Sequence, residues 1–296
     1  MPETVLALPA ERPGYPAPPD LAERRAQMGA AIAGGAFATN QPAQETELGG
    51  LRCLRFAPEG EARGYMLQLH GGGFRIGRPE FEAPLSEALA TRCAVNIAVP
   101  QYRLAPEAPF PAGLNDALAA LVALRAEAGS APLIVSGDSA GAGLAASLGI
   151  LAAAGKAPRI DGMILLSPWL DLTVTAPSYA ANAASDPLFG TESARIAADL
   201  YLQGFEARHP LASPLFADLA GFPPCLVSVG TGEVLVEDSR RFAGKLAASG
   251  CNCRLVEIAG MDHVAVVRGA DLPGARETFA AMADFIDGIV SLPARA

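Results

Sequence analysis

The most informative stretch of the chain reads Ile134-Val135-Ser136-Gly137-Asp138-Ser139-Ala140-Gly141-Ala142-Gly143. A short apolar run ends there in the pattern G-x-S-x-G, and an alanine-rich segment that favours a helix continues to about residue 154. A tight strand-to-helix turn makes a serine hydroxyl available as a nucleophile by holding it clear of the backbone in a strained conformation. Gly137 and Gly141 leave room for such a turn. The bare pattern also occurs in purely structural turns, so its context must support the prediction.

Backbone amides near this turn predict a site for a developing negative charge. The helix after Ser139 directs free N–H groups at the reacting centre, so the Ala140 amide can donate to an oxyanion. The run Gly71-Gly72-Gly73 follows an earlier apolar strand, and amides converge on an oxyanion only where no side chains crowd them. A flexible turn is the plain alternative. A phosphate-binding loop is disfavoured because no Gly-Lys-Ser/Thr follows the glycines.

A serine nucleophile needs a base, and the chain contains only His70, His209 and His263. His70 lies in the glycine run, and His209 precedes a proline in a segment without strand signals. His263 follows a late strand, where the base belongs if the chain order is serine, acid, histidine. We therefore predict His263 as the base, against the alternative of an ordinary surface-loop histidine.

The acid that orients this base should follow another strand. The run Gly230-Thr231-Gly232-Glu233-Val234-Leu235-Val236-Glu237-Asp238 comes directly after the predicted strand 225–229 and offers three carboxylates. Glu233 is nearest the strand end and is the predicted acid. Glu237 and Asp238 open the next helix, where acids are also favoured by the helix dipole. Asp262 is adjacent to His263, and neighbouring side chains seldom face the same way. We therefore expect Asp262 to support the site at most.

Composition limits the classes of partner. The 296 residues are 51% hydrophobic and 18% charged, which is typical of a globular enzyme, and the net charge is −9. Without a basic cluster, binding to nucleic acid or to an anionic membrane surface is not expected. The five cysteines lack the spacing of a zinc or redox motif, so we expect reduced thiols, no metal and no cofactor. The proline-broken start of the chain cannot form a signal peptide, which favours a soluble cytoplasmic protein.

Strand and helix signals alternate along most of the chain. We predict strands at 51–56, 64–69, 95–99, 163–166, 225–229 and 254–258, and helices at 21–32, 81–92, 112–128, 237–248 and 275–290. Between about 173 and 215 there are turn and helix signals but no strand, which indicates an insertion above the sheet. This alternation predicts an α/β fold with a mostly parallel sheet covered on both faces, and a ligand site at the carboxyl ends of the strands.

These motifs together resemble the hormone-sensitive-lipase-like esterases of the α/β-hydrolase superfamily. The resemblance is carried from about Leu51 almost to the end of the chain, by the segments His70-Gly71-Gly72-Gly73-Phe74, Tyr102-Arg103-Leu104-Ala105-Pro106-Glu107, Gly137-Asp138-Ser139-Ala140-Gly141 and Ser167-Pro168-Trp169-Leu170-Asp171. It implies an α/β-hydrolase fold with an eight-stranded sheet and a helical cap. It also implies N-terminal cap helices over 1–50 and a catalytic domain over 51–296 with the cap insertion near 173–215.

The resemblance also implies roles for single residues. Ser139 is the expected nucleophile, His263 the base and Glu233 the acid, with Gly71, Gly72 and Ala140 as the oxyanion hole. His70 would brace the glycine loop without titrating. Two departures stand out: the family usually has Asp where this chain has Glu233, whose longer side chain must fold back, and it often has Gly-Phe where this chain has Val264-Ala265.

The expected reaction is hydrolysis of short- to medium-chain carboxylic esters through an acyl-enzyme. Two alternatives stay open: hydrolysis of lactones, carbonates or amides by the same machinery, and a non-catalytic small-molecule binding protein on the same fold. Relatives of the family often pair through the last strand of the sheet, so 254–258 is a candidate homodimer edge. Large side chains that could line the pocket are Phe37, Phe74, Trp169, Tyr179, Leu188 and Phe205, although each is more often core.

Overall fold

The computed structural model describes residues 15–291 and contains one eight-stranded sheet. Its strands are β1 (Gln44–Leu48), β2 (Leu51–Phe56), β3 (Gly64–Leu69), β4 (Val95–Pro100), β5 (Leu133–Asp138), β6 (Gly162–Leu166), β7 (Cys225–Gly230) and β8 (Cys253–Ile258). The spatial order is β1-β2-β4-β3-β5-β6-β7-β8. Only the β1–β2 and β2–β4 pairs are antiparallel, so the prediction of a mostly parallel sheet is confirmed.

The described residues form nine α-helices, and the long ones among them cover both faces of this sheet or lie above it. They are α1 (Leu21–Ala33), α2 (Ala83–Cys93), α3 (Ala112–Ala128), α4 (Ser139–Ala153), α5 (Ser178–Ala181), α6 (Thr191–Leu202), α7 (Val236–Ala248), α8 (Ala265–Arg268) and α9 (Ala275–Val290), with short 3₁₀ helices at Pro79–Glu82 and Pro214–Phe216. Each long predicted helix is present within one or two residues of its predicted ends. The short α8 was missed, because four residues carry no periodic signal.

Side chains alternate between the two faces of each central strand and so enter two separate cores. Leu67 and Val135 pack on the face covered by α3, α4 and α7, whereas their neighbours Met66 and Ile134 pack on the face covered by α2 and α9. All four side chains are fully buried. Strands buried on both faces read as continuous apolar runs, which is why β3 and β5 were identified correctly from the sequence.

The beginning of the chain differs from the prediction. Residues 1–14 of the proline-rich start lie outside the described residues. Residues 1–50 were predicted as cap helices, but β1 lies within that range and pairs with β2 in the main sheet. Strand β1 (Gln-Glu-Thr-Glu-Leu) is polar and mostly exposed, because it is an edge strand, so it gave no hydrophobic signal.

Between β6 and β7 the chain forms α5, α6 and connecting turns without a strand, as predicted for the insertion. Across residues 15–291, no helix is both long and apolar enough to cross a bilayer. The carboxyl ends of β5, β7 and β8 lie on one edge of the sheet because these strands are parallel. Ser139, Glu233 and His263 follow these three strand ends.

Candidate active site

Ser139 occupies the strained turn that the sequence predicts. Its φ is 50°, and it joins β5 directly to α4. A side chain at Gly141 would collide with the backbone oxygens of Leu69 and His70, and one at Gly137 would collide with the backbone of Gly141. The two glycines are therefore required because the strand, the turn and the helix touch through bare backbone.

His263 lies in the loop after β8, and its ring reaches the serine. The His263 Nε2 to Ser139 Oγ distance is 3.0 Å, and both residues are more than nine-tenths buried. Phe189 from the insertion stacks parallel to the imidazole with ring centroids 5.7 Å apart. The ring is therefore held on one side by packing and aimed at the serine oxygen.

Glu233 folds back towards its own strand, which is how the longer acid fits. The Gly230 N–H donates to Glu233 Oε1 at 2.6 Å, and the Ser167 hydroxyl donates to the same oxygen at 2.8 Å. The second oxygen, Oε2, lies 2.7 Å from His263 Nδ1. A carboxylate held by two donors on one oxygen presents the other to the imidazole in a fixed orientation.

The other acids have different partners. Asp238 is fully buried and accepts the backbone N–H groups of Leu170 and Asp171 at 3.0 Å each, so it holds the loop after β6. Burial raises its pKa to about 7. Glu237 lies in the first turn of α7, and Asp262 lies 3.7 Å from Arg268. Of the candidate acids, the structure brings only Glu233 to His263.

Two of the three histidines are differently placed from His263. His70 is fully buried, stacks on Tyr102 with centroids 4.2 Å apart, and has Nδ1 2.9 Å from the Gly71 carbonyl. Burial lowers its pKa to about 4, so it is neutral at physiological pH and braces the loop as expected. His209 packs against Phe110 and Phe205 beside α6, away from the serine.

The glycine loop has the conformation that only glycine adopts readily, with φ of 112° at Gly72 and 60° at Gly73. The N–H groups of Gly72 and Gly73 have no acceptor among the described residues. The Gly71 backbone lies against the Asp138 carboxylate, since a side chain at Gly71 would collide with Asp138 Oδ2. The predicted oxyanion donors Gly71, Gly72 and Ala140 therefore stay a prediction, and the amide of Gly73 is a further candidate.

A pair of buried carboxyl groups lies behind this loop. Glu82 Oε1 and Asp138 Oδ1 are buried and have no N–H or hydroxyl donor within the described part of the chain, while Glu82 Oε2 accepts from Gln68 at 2.8 Å. Burial, together with the charge and hydrogen bond of Asp138, raises the pKa of Glu82 well above its ordinary value. The raised pKa favours the neutral form of Glu82 beside Asp138.

Two residues near the triad were given no role in the sequence analysis. Ser167 binds Glu233 as described, and Asp186 accepts the N–H groups of Phe189 and Val234 at 3.1 and 3.0 Å. Asp186, Glu233 and His263 offer possible metal-ligand atoms within 4.8 Å of one another. The 2.7 Å contact between Nδ1 and Oε2 already uses two of these atoms in a hydrogen bond, so the donor set fits a proton-transfer site better than a cation site.

A cavity of about 320 Å³ opens over Ser139 and His263, and we call it the catalytic cavity. Its lining is mostly apolar and comes from α1, the glycine loop, the insertion and the loop after β8; it includes Met28, Phe37, Ile76, Phe81, Leu188, Phe189, Val264 and Val267. Of the predicted wall residues, Phe37 and Leu188 are part of this lining. Phe74, Trp169, Tyr179 and Phe205 instead belong to or pack on the core between the sheet and the helices.

Known proteins are similar to this chain in sequence and in fold. A family model described as the alpha/beta hydrolase fold matches residues 66–267. An acetyl-hydrolase of Streptomyces hygroscopicus is 40% identical over 202 residues, which cover 67% of this chain and 67% of that protein. An esterase of Acinetobacter venetianus is 33% identical over 241 residues, which cover 80% of this chain and 79% of that protein.

Solved structures are also similar to this chain in fold and in sequence. The HSL homologue EstE7 from a metagenome library has a TM-score of 0.85 and 34% identity, covering 91% of this chain and 93% of that one. A hormone-sensitive lipase from a metagenome library has a TM-score of 0.86 and 33% identity, covering 98% and 94%. The fold is thus that of the α/β hydrolases. Within them, the chain belongs to the hormone-sensitive-lipase-like family of esterases.

The first prediction separates the two acids that sequence reasoning could confuse. Glu233→Gln should lower kcat/KM by about 10³- to 10⁴-fold, because an amide cannot hold the imidazole in the required tautomer and charge state. Asp238→Asn is the matched control: it keeps an oxygen for the two N–H groups, so its kcat/KM should change far less. Ester kinetics and circular dichroism on both variants make the comparison, and a larger loss in Asp238→Asn would reassign the acid.

The second prediction concerns pH. Burial alone would lower the pKa of His263, but the hydrogen bond and charge of Glu233, with Asp186 and Asp138, raise it above its ordinary 6.5. Because the neutral ring is the base, kcat/KM should fall as pH falls through this raised pKa, with a midpoint above 6.5. Glu233→Gln should move the midpoint of its residual activity to lower pH. A profile that stays flat through this range in the wild type would exclude His263 as the base.

Proposed function

We propose that this chain is a serine carboxylesterase that hydrolyses short- to medium-chain esters with Ser139, His263 and Glu233 as its triad. The observation that carries the proposal is the continuous chain of contacts from Ser139 Oγ to His263 Nε2 at 3.0 Å and from Nδ1 to Glu233 Oε2 at 2.7 Å, at the floor of an apolar cavity. Relatives with this fold are named as esterases or acetyl-hydrolases, which supports the same reaction class.

The reaction proceeds in two acyl transfers. His263 Nε2 accepts the Ser139 proton as Oγ attacks the ester carbonyl, and the imidazolium then gives that proton to the leaving alcohol. Water then gives a proton to the same nitrogen as its oxygen attacks the acyl carbonyl. The bond from the acyl carbon to Oγ breaks, the imidazolium returns the proton to Oγ, and the carboxylic acid leaves with Ser139 restored. Glu233, 2.7 Å from Nδ1, stabilises the imidazolium that forms in each step.

The tetrahedral intermediate carries its negative charge on the former carbonyl oxygen. We propose that the donors to this oxygen are the amides of Gly71, Gly72 and Ala140, with the amide of Gly73 as a further candidate. The three glycine amides have no backbone acceptor among residues 15–291, and Ala140 lies in the first turn of the helix whose free N–H groups face the site. The close contact of the Gly71 backbone with Asp138 Oδ2 fixes the loop from behind.

The third prediction tests ester hydrolysis directly. The wild type should turn over p-nitrophenyl acetate and butyrate, and activity should fall with long acyl chains that a cavity of about 320 Å³ cannot hold. Ser139→Ala should lose about 10³-fold or more in kcat, because no nucleophile remains, while Ser249→Ala, an exposed serine on the far end of α7, serves as the control. Labelling by a fluorophosphonate, located by mass spectrometry, should mark Ser139.

The same experiment distinguishes the alternatives. A binding protein would bind small esters without turnover, and full activity in Ser139→Ala would overturn the nucleophile assignment. Parallel assays with lactones, carbonates and amides of similar size would show whether one of these classes is preferred. Esters are the favoured substrates because the relatives named after a reaction are named for ester or acetyl hydrolysis.

The domain organisation is also a proposal. We assign a cap to the part of the chain before β1 together with the insertion near 173–215, and the catalytic body to the sheet from β1 onwards with its covering helices. Both cap parts contribute to the catalytic cavity, through Met28 and Phe37 on one side and Leu188 and Phe189 on the other. A cytoplasmic location stays a prediction; it is supported by the five unpaired cysteines, which suit a reducing compartment.

The fourth prediction concerns assembly. Strand β8 pairs with β7 and leaves its other edge open within the described residues, and such an edge can pair with a second copy. We therefore propose a homodimer joined through 254–258. Multi-angle light scattering over a range of protein concentrations should give twice the mass of one chain, and the mass of a single chain at every concentration would contradict it.

A further inference from the structure

Arg75 is an unusual charge in the wall of the catalytic cavity. It directly follows the glycine loop and Phe74, and only 6% of its surface is exposed. Its Nε lies 3.8 Å from where a Cβ on Gly73 would be, so the side chain runs beside the loop that holds the proposed oxyanion donors. A guanidinium in this position influences any substrate that reaches Ser139.

No carboxylate neutralises this arginine. Five arginines of residues 15–291 have no carboxylate oxygen within 4.0 Å: Arg75, Arg78, Arg195, Arg208 and Arg254. The other four are exposed to water, which screens their charge, and Arg75 is the buried one. A buried charge without a partner is costly, so it is retained where a ligand can supply the partner.

The hydrogen bonds of Arg75 leave most of its donors available. Its Nη2 donates to the Ser193 hydroxyl at 2.8 Å and weakly to the Ser193 carbonyl at 3.4 Å, and these are its side-chain hydrogen bonds within the described part of the chain. A guanidinium carries five N–H donors in a planar fork that matches a carboxylate. Ser193, from the insertion, also lines the cavity and adds a hydroxyl to the same corner.

The surrounding charges increase the preference for an anion. Arg24 also lines the cavity, and its nearest carboxylate is the exposed Asp20, 3.8 Å away. Burial is the larger cause that lowers the pKa of Arg75, and the positive charge of Arg24 is the second. The negative charge nearby does not outweigh these two effects. Arg268 is the third arginine of the lining, and the Asp262 carboxylate lies 3.7 Å from it. Of the three arginines that line the cavity, Arg75 alone has no carboxylate oxygen within 4.0 Å among the described residues.

We propose that Arg75, with Ser193 and Arg24, forms an anion subsite of the catalytic cavity, and that the preferred substrates are esters bearing a free carboxylate. This inference rests on the proposed esterase function. Two substrate classes present such a group: monoesters of dicarboxylic acids carry it on the acyl side, and acyl esters of hydroxy acids carry it on the alcohol side. The apolar remainder of the lining would hold the hydrocarbon part of either class.

The fifth prediction uses substrate pairs that differ only in this charge. Monomethyl glutarate is compared with methyl pentanoate for the acyl side, and 4-acetoxybutanoate with butyl acetate for the alcohol side, by titration of released acid at constant pH. In the wild type, kcat/KM for the anionic member of one pair should exceed that of its neutral partner by about tenfold or more, since hydrogen bonds to charged groups are the strong ones. The pair that shows the preference identifies the side.

Variants then assign the preference to the arginine. Arg75→Met should lower the anionic-to-neutral ratio of kcat/KM by about ten- to a hundredfold, and Arg75→Lys should keep part of it, because the charge remains while the planar fork is lost. Arg78→Met is the matched control: this arginine is three residues away, exposed and outside the catalytic cavity, so the ratio should not change.

The outcomes separate this proposal from the esterase proposal. A wild type that hydrolyses the neutral members and prefers them in both pairs would overturn the anion subsite and leave the esterase intact. An unchanged anionic-to-neutral ratio of kcat/KM in a folded Arg75→Met variant would also overturn the anion subsite and leave the esterase intact. If that variant does not fold, the wild-type ratios and the Arg75→Lys ratio decide. Failure to hydrolyse any ester of the two pairs or any p-nitrophenyl ester would refute the esterase function itself.

Discussion

The contact of bare backbone between the ends of β3 and β5 and the start of α4 is the constraint on which the site depends. Gly141 lies against the carbonyl groups of Leu69 and His70, and Gly137 lies against Gly141, so neither position has space for a side chain. This approach fixes the direction in which α4 leaves the sheet. Ser139 must then adopt a positive φ, which lifts its hydroxyl above the strand ends. The same contact brings the glycine loop, which follows β3, beside the serine.

Strain is concentrated around this turn. Among the described non-glycine residues with positive φ are Phe74, Ser139, Ser167 and Val264, and all four lie next to the proposed catalytic groups. Such conformations cost about 1–3 kcal/mol each and persist only when surrounding contacts determine them. Those contacts are visible: the Ser167 hydroxyl donates to Glu233 Oε1 and accepts the Val264 N–H at 3.3 Å, so one side chain ties the acid to the loop of the base. The strained residues thus hold the triad from several directions.

The sequence was sufficient for features that follow from local chemistry and strand order. The apolar runs of β3 and β5 predicted buried parallel strands. Ser139, Glu233 and His263 were predicted as site residues because each follows the end of a predicted strand. It was insufficient where function depends on a partner distant in sequence. The contact of the Gly71 backbone with Asp138 could not be foreseen from the sequence, and Ser167 and Asp186 carry no local signal. Strand β1 was missed because an exposed edge strand is polar.

Burial alone does not decide the charge of a group in this site; its partners do. His70 and His263 are both buried, yet His70 meets a carbonyl and its pKa falls, whereas His263 meets a carboxylate and its pKa rises. The acid can have that effect only if its own position is fixed, and for a glutamate this requires that the side chain turn back on itself. Gly230 permits the turn, since its N–H binds Glu233 Oε1 and a side chain there would collide with the Met261 carbonyl. The longer acid therefore fits because its side chain binds the end of its own strand. Glu233 Oε2 then lies within hydrogen-bond distance of His263 Nδ1, at 2.7 Å.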